Sequence, residues 1–219
     1  MTHASADMRA YYAERAPYYD AVYLKPERQA DVAFLREHLP ARLQARTVLE
    51  VACGTGYWTQ HIAPVVRRMV ATDLTAEPLA LARQRPHTAN VSFQQADAYA
   101  LPHHLGQFDG AFAGLWLSHV PVQGRGAFFQ SMHARLSPGA RVVLIDNGAI
   151  QLQDFPITET DADGNTYQQR VLRDGSMHRV LKNFPTEAEL QSLLLPFAAS
   201  FIYRALDNFW LCEYELPAA

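Results

Sequence analysis

The chain has 219 residues, 49% of them hydrophobic and 19% charged, and a formal net charge of −3. That size and balance suit one globular domain with a sizeable core. The slight acidity argues against a broad nucleic-acid footprint, which needs a basic face.

Cys53 and Cys212 are the only cysteines. They form neither a disulfide framework nor a C-x-x-C metal pair, so a reducing compartment is expected. Residues 1–9 hold no apolar segment of signal-peptide length, and no apolar run reaches bilayer-spanning length. The expectation is therefore a soluble cytoplasmic protein without membrane or nucleic-acid partners. Monomer and dimer both stay open. No His/Cys/Asp grouping has metal-ligand spacing, so no metal is expected.

In chain order, residues 6–23 carry Tyr11, Tyr12, Tyr18, Tyr19 and Tyr23. Pro17 predicts a helix up to Arg15 followed by a turn. Aromatic faces attract cations by about 0.5–2 kcal/mol. These tyrosines therefore either pack or cover a cationic ligand, and Tyr12 and Tyr19 are the candidates for the second role. Leu35, Leu39 and Leu43 step by four along one helix face, with Pro40 predicting a kink or two shorter helices.

Residues 48–59 read as strand, Gly-rich turn and helix, and Gly54 and Gly56 let a ligand lie against the backbone. A dinucleotide fingerprint would place glycine where Thr59 stands. Glu50, at the strand end, suits a ligand with an amino group and would repel a pyrophosphate. A helix over 57–66 leads to a second strand over 68–73. Asp73 follows Gly54 by 19 residues, the spacing at which a carboxylate accepts both hydroxyls of a ribose. A helix over 76–85 and a third strand over 91–97 follow, ending at Asp97. The apolar run 108–117 predicts a strand covered on both faces. Ser118 and His119 follow it, then a helix over 124–136, a turn at 137–139 and a fifth strand over 140–146.

Glu50-x-x-Cys53-Gly54-x-Gly56, with acids ending the next two strands, resembles class I S-adenosylmethionine-dependent methyltransferases of the small-molecule type. The segment Tyr19-Asp20-x-x-Tyr23 is similar to the N-terminal cap of many such members. The resemblance covers most of the chain, and 47–146 carries its specific motifs. It implies a Rossmann-like α/β fold, a seven-stranded mixed sheet of order 3-2-1-4-5-7-6 with helices on both faces. Residues 1–45 would be a helical cap, 46–146 the cofactor-binding core, 147–185 an insertion with a hairpin, and 186–219 the closing helix and antiparallel strands. It implies S-adenosylmethionine as cofactor, held by Tyr12, Tyr19, Glu50, Ala52, Gly54, Gly56, Thr59, Asp73, Leu74, Asp97, Ala98 and Leu115. Tyr99 and Leu101 would wall the adenine. The run 108–117 lacks the Asn/Asp-Pro-Pro-aromatic signature of enzymes acting on nucleic-acid amines, which favours a small-molecule acceptor.

Asp174-Gly175 between extended runs predicts a two-residue hairpin turn. That register opposes Leu172 to Met177 and Arg170 to Arg179. Two facing arginines either form a solvated charged face or hold an anion between them: Glu159, Asp161, Asp163, or an acidic group on the acceptor. Tyr11, Trp116, Arg170 and Arg179 are the acceptor-pocket candidates. Thr186 and Glu189 form a capping box that opens the last long helix. Methyl transfer from a sulfonium is an in-line displacement whose main demand is placement. A base helps only for a weakly acidic hydroxyl. His119 is the candidate, ahead of His103, His104 and His178. A non-catalytic cofactor-binding module and a nicotinamide-dependent oxidoreductase are the alternatives.

Overall fold

Strand β1 (Thr47–Val51) lies between β2 (Arg68–Asp73) and β4 (Phe108–Gly114), parallel to both. The computed structural model describes residues 6–219. Alternation along β1 sends Val48 to one face of the sheet and Leu49 and Val51 to the other. On the Val48 side, α2 (Gln29–Leu43) lays down Leu35, Leu39 and Leu43, all fully buried. Each of these contributes about 1.5–3 kcal/mol by leaving water. On the other side, α5 (Arg125–His133) and α6 (Glu187–Leu194) bring Phe128, Phe129, Leu190 and Leu194. A sheet covered on both faces explains the unbroken apolar runs of its central strands.

The remaining strands are β3 (Val91–Gln95), β5 (Leu136–Asn147), β9 (Ser200–Ala205) and β10 (Phe209–Glu215). The sheet order is β3-β2-β1-β4-β5-β10-β9, with β10 antiparallel to both neighbours. This is the seven-stranded, Rossmann-like mixed sheet expected from the sequence. The capping box at Thr186 is present, its hydroxyl accepting from the Glu189 N–H. No helix among the described residues is long and apolar enough to cross a membrane.

A second, three-stranded sheet joins β6 (Glu159–Thr160), β7 (Thr166–Val171) and β8 (Met177–Leu181). Helix α1 (Ala6–Arg15) packs on it through Met8 and Tyr11, against Leu172, Val180 and Leu181. The Asn183 N–H donates to the Ser118 carbonyl at 2.8 Å, fixing the hairpin beside the C-terminal end of β4.

Several boundaries differ from expectation. The run 108–117 leaves the strand at Gly114, because Leu115 adopts φ +56. Pro40 sits inside an unbroken α2. It has no N–H to donate to the carbonyl of Arg36, an exposed residue on the helix. Helix α5 stops at His133, and Leu136 and the expected turn at 137–139 belong to β5, where Gly139 takes φ +72. The helix expected over 57–66 shortens to α3 (Thr59–Ile62) and one 3₁₀ turn opened by Pro64.

The hairpin loop has three residues, not two. The Gly175 N–H donates to the Leu172 carbonyl, and the Leu172 N–H donates to the Ser176 carbonyl. Gly175 at φ +87 supplies the left-handed residue such a loop needs. Arg170 therefore faces His178, and Arg179 faces Gln169. The one-residue slip puts the two arginines on opposite faces, which removes the expected Arg170–Arg179 pair.

Candidate active site

The acids ending β1 and β2, and the one just past β3, converge. Glu50, Asp73 and Asp97 line one cleft of about 1170 Å³, part of it open to solvent. The cleft lies at the carboxyl ends of the parallel strands, where the strand order reverses between β1 and β4. Ala52, Gly54, Leu74, Ala98 and Leu115 complete its floor, and Tyr12 and Tyr19 cover it from the N-terminal segment.

Glu50 is 2% exposed and accepts from the Thr59 hydroxyl at 2.6 Å. Burial, opposed by that hydrogen bond and reinforced by Asp73, pushes its carboxyl up to about 8. Asp73 accepts from the Gly54 N–H at 3.0 Å and the Thr75 N–H at 3.1 Å, so it ties the glycine loop to the following turn. Burial raises its pKa against these bonds. Ala52 and Leu115 both hold φ +56, a left-handed conformation uncommon for residues with a Cβ and often found at functional sites.

The two glycines have different tasks. A Cβ at Gly54 would meet no protein atom within 4 Å, so the loop leaves open space beside the cleft there. A Cβ at Gly56 would lie 3.0 Å from the Cα of Ala82 in α4 (Ala76–Ala82). Gly56 therefore serves the approach of loop to helix and does not line the cleft. The same loop is clasped from above: Asp20 accepts from the Thr55 hydroxyl at 2.7 Å and pairs with Arg85.

A second cavity, of about 660 Å³ with part of it open to solvent, abuts the first; Tyr12, Tyr19, Leu115 and His119 line both. Arg15, Arg28, Arg170 and Lys182 surround it. Arg28, Arg170 and Lys182 are 3%, 7% and 2% exposed, so their charges sit where solvent screens them little. Among the described residues, no carboxylate lies within ion-pair distance of Arg15, Arg28 or Arg170. Lys182 alone has one: it donates to Asp146 at 3.2 Å and to the Ser118 hydroxyl at 2.6 Å. Burial nevertheless pushes its ammonium down to about 8.

His119 stands on the shared boundary. Its Nδ1 lies 2.7 Å from the Leu181 carbonyl, which has no proton to give, so Nδ1 carries the hydrogen. Nε2 is then the acceptor for the Tyr12 hydroxyl at 2.8 Å. Burial, with Lys182 nearby, pushes the imidazole down to about 3. It is a neutral ring with its free lone pair engaged.

Among the residues singled out from sequence, Thr59 is fully buried behind Glu50 and touches the cleft only through it. Trp116 lines the first cleft, beside Tyr99, and not the second cavity. Tyr11 is buried between α1 and the hairpin and lines neither. Arg179 is turned outward, stacked on Tyr167 and paired with both oxygens of Glu159 at 2.7 Å. Leu101 is buried in the main core. His103, His104 and His178 line neither cavity. Arg15, Arg28, Asn147 and Lys182 were not singled out. Isolated cations in helices and loops look like solvated charges, and only the tertiary fold gathers them.

A family model described as a methyltransferase domain matches residues 48–139. The malonyl-[acyl-carrier protein] O-methyltransferase of Enterobacter lignolyticus (strain SCF1) is 31% identical over 196 residues, covering 86% of this chain and 72% of that protein. The 2-phytyl-1,4-naphtoquinone methyltransferase of Thermosynechococcus vestitus (strain NIES-2133 / IAM M-273 / BP-1) is 36% identical over 107 residues, 47% of each chain. Among solved structures, the DhpI–SAH complex superposes with a TM-score of 0.80 at 29% identity, covering 97% of both chains. The DhpI–SAM–HEP complex gives 0.78 at 30% identity over 95% of both.

Proposed function

This chain belongs to the class I S-adenosylmethionine-dependent methyltransferases, and from that premise we propose that it methylates an oxygen of a small anionic acceptor held in the cationic cavity. S-adenosylmethionine is the methyl donor and supplies a methyl group on a positively charged sulfur, activated toward in-line displacement. With membership of that family, the nicotinamide-dependent and non-catalytic alternatives fall away.

The residues of the first cleft fit this cofactor. Asp73 is the acceptor for the ribose hydroxyls, its position fixed by the Gly54 and Thr75 N–H groups. Glu50 receives the cationic amino group, and Thr59 orients it. Asp97, with Ala98 and Tyr99, faces the adenine. Gly54 lets the backbone lie close, and Tyr12 and Tyr19 present aromatic faces to the sulfonium. In this reading, residues 46–146 carry the donor. Residues 6–45 and 147–185 together roof the acceptor, and 186–219 close the sheet. The free, buried Cys53 and Cys212 support a reducing, cytoplasmic setting.

The observation that carries the acceptor class is the cation count. Arg15, Lys25, Arg28, Arg170 and Lys182 face one cavity; among the described residues Lys25 pairs with Glu27 and Asp154 and Lys182 with Asp146, while the three arginines have no carboxylate within ion-pair distance. Buried positive charge on that scale is unfavourable unless an anion joins it. The name of the malonyl-[acyl-carrier protein] relative, an O-methyltransferase, supports oxygen as the receiving atom. An anionic oxygen already has its electron pair. It forms the new O–C bond as the C–S bond breaks and that pair passes to sulfur, so the negative and positive charges cancel. No proton has to be removed. His119, neutral and hydrogen-bonded to Tyr12, orients the boundary between the cavities and is not needed as a base.

The test is methyl uptake from S-adenosylmethionine labelled in the methyl group. The panel holds small carboxylates, phosphate monoesters, neutral alcohols and amines. Label should enter the anionic compounds. Labelling confined to neutral alcohols or amines would overturn the acceptor class.

A further inference from the structure

Two of the guanidinium groups of this cavity, those of Arg28 and Arg170, are held by amides, while Arg15 donates to the Tyr11 hydroxyl at 3.1 Å. Arg28 donates to the Asn147 side-chain oxygen at 3.1 Å. Arg170 donates to Gln168 Oε1 at 2.6 Å and reaches Gln151 Oε1 at 3.5 Å. Gln168 is fully buried. Its Nε2 donates to the Phe155 carbonyl, so its oxygen has to face Arg170. The Arg170 guanidinium lies 3.5 Å above the Phe155 ring, and its Nε is buried without a hydrogen-bond partner.

Buried arginines are ordinarily paired with carboxylates. In this molecule the half-buried Arg42 and Arg141 hold Glu213 and Glu215, whereas the buried Arg125 and Arg135, like Arg28 and Arg170, have no carboxylate within ion-pair distance among the described residues. An amide oxygen accepts the same N–H in the same geometry and adds no charge. A carboxylate in its place would cancel the guanidinium, and an incoming anion would have to compete with it. The unpartnered Nε of Arg170 is a donor still to be satisfied.

We infer that Gln168 and Asn147 are specificity-determining residues, fixing Arg170 and Arg28 for a bound oxyanion without neutralising them. The inference rests on the anionic-acceptor reading. It goes further by assigning charge selection to two neutral residues that position the cations: Gln168, which lies outside the cavity behind Arg170, and Asn147, which also lines it.

The experiment is isothermal titration of the full chain saturated with S-adenosylhomocysteine, with inorganic phosphate and malonate as probes. The wild type should bind at least one of them saturably. Gln168→Glu should weaken that binding about tenfold or more. Unchanged S-adenosylhomocysteine affinity would show that the variant is folded. In an Arg170→Gln background, the same Gln168→Glu change should cost less than about twofold, because without a guanidinium beside it the new buried carboxyl takes up a proton and carries no charge. A residue of merely structural importance would impose the same loss in both backgrounds. Asn147→Asp, measured with and without Arg28→Gln, gives an independent cycle should Gln168→Glu not fold.

If Arg170→Gln weakens the probe and Gln168→Glu does not, the inference is wrong and the anionic reading stands. If neither probe binds the wild type, or Arg170→Gln and Arg28→Gln bind as the wild type does, the anionic reading fails and the inference goes with it.

Discussion

In the cofactor-free chain burial pushes the Glu50 carboxyl up to about 8 from an ordinary 4.5, which favours the protonated acid at neutral pH; a cationic amino group bound beside it favours the carboxylate instead. The sign of the linkage follows. The folded state keeps a proton that the unfolded state releases, so this group's contribution is complete below about 4.5 and is lost as the pH rises through about 8. The cofactor-free protein should therefore lose stability across that window, and Glu50→Gln should flatten the slope in denaturant melts recorded at several pH values. An equal slope in wild type and variant would mean that Glu50 is ionised in the folded chain. At this scale the sequence was readable where chemistry coincides with topology. Glu50, Asp73 and Asp97 end successive parallel strands or follow them directly, and strand ends are recognisable. Arg15, Arg28 and Lys182 were not readable, because nothing local separates a cation facing a cavity from one facing water.

Among the elements, the hairpin shows how one residue of loop length decides chemistry. Asp174-Gly175 signals a turn correctly, yet Gly175 serves as the left-handed residue of a three-residue loop. The slip turns Arg179 toward Glu159 and leaves Arg170 alone at the cavity. Arg170→Ala should raise the acceptor KM about tenfold or more, while Arg179→Ala should leave it within about twofold. Equal effects in steady-state kinetics would restore the symmetric pair read from sequence. Other boundaries failed for the same kind of reason. Leu115 and Gly139 take left-handed backbone inside runs whose composition reads as strand or turn. The strain at Leu115 reflects its neighbours in space, and no local pattern encodes that.

Across the whole molecule, the sheet order follows from alternating strands and helices with crossovers long enough to be right-handed. The roof is less legible, since it joins two distant segments. Helix α1 and the inserted hairpin pack on each other through Met8, Tyr11, Val180 and Leu181, and each contributes an arginine, Arg15 and Arg170, to the lining of the cationic cavity. Tyr12, Tyr19, Leu115 and His119 line both cavities and, in the proposed reading, form the boundary where donor and acceptor meet. A crystal structure of the chain with S-adenosylhomocysteine tests this most directly. The account predicts the adenosyl group along Asp73 and Asp97, with the sulfur at that four-residue boundary, facing Arg170 and Lys182. A sulfur turned away from the cationic cavity, or a ligand seated outside the three carboxylates, would contradict it.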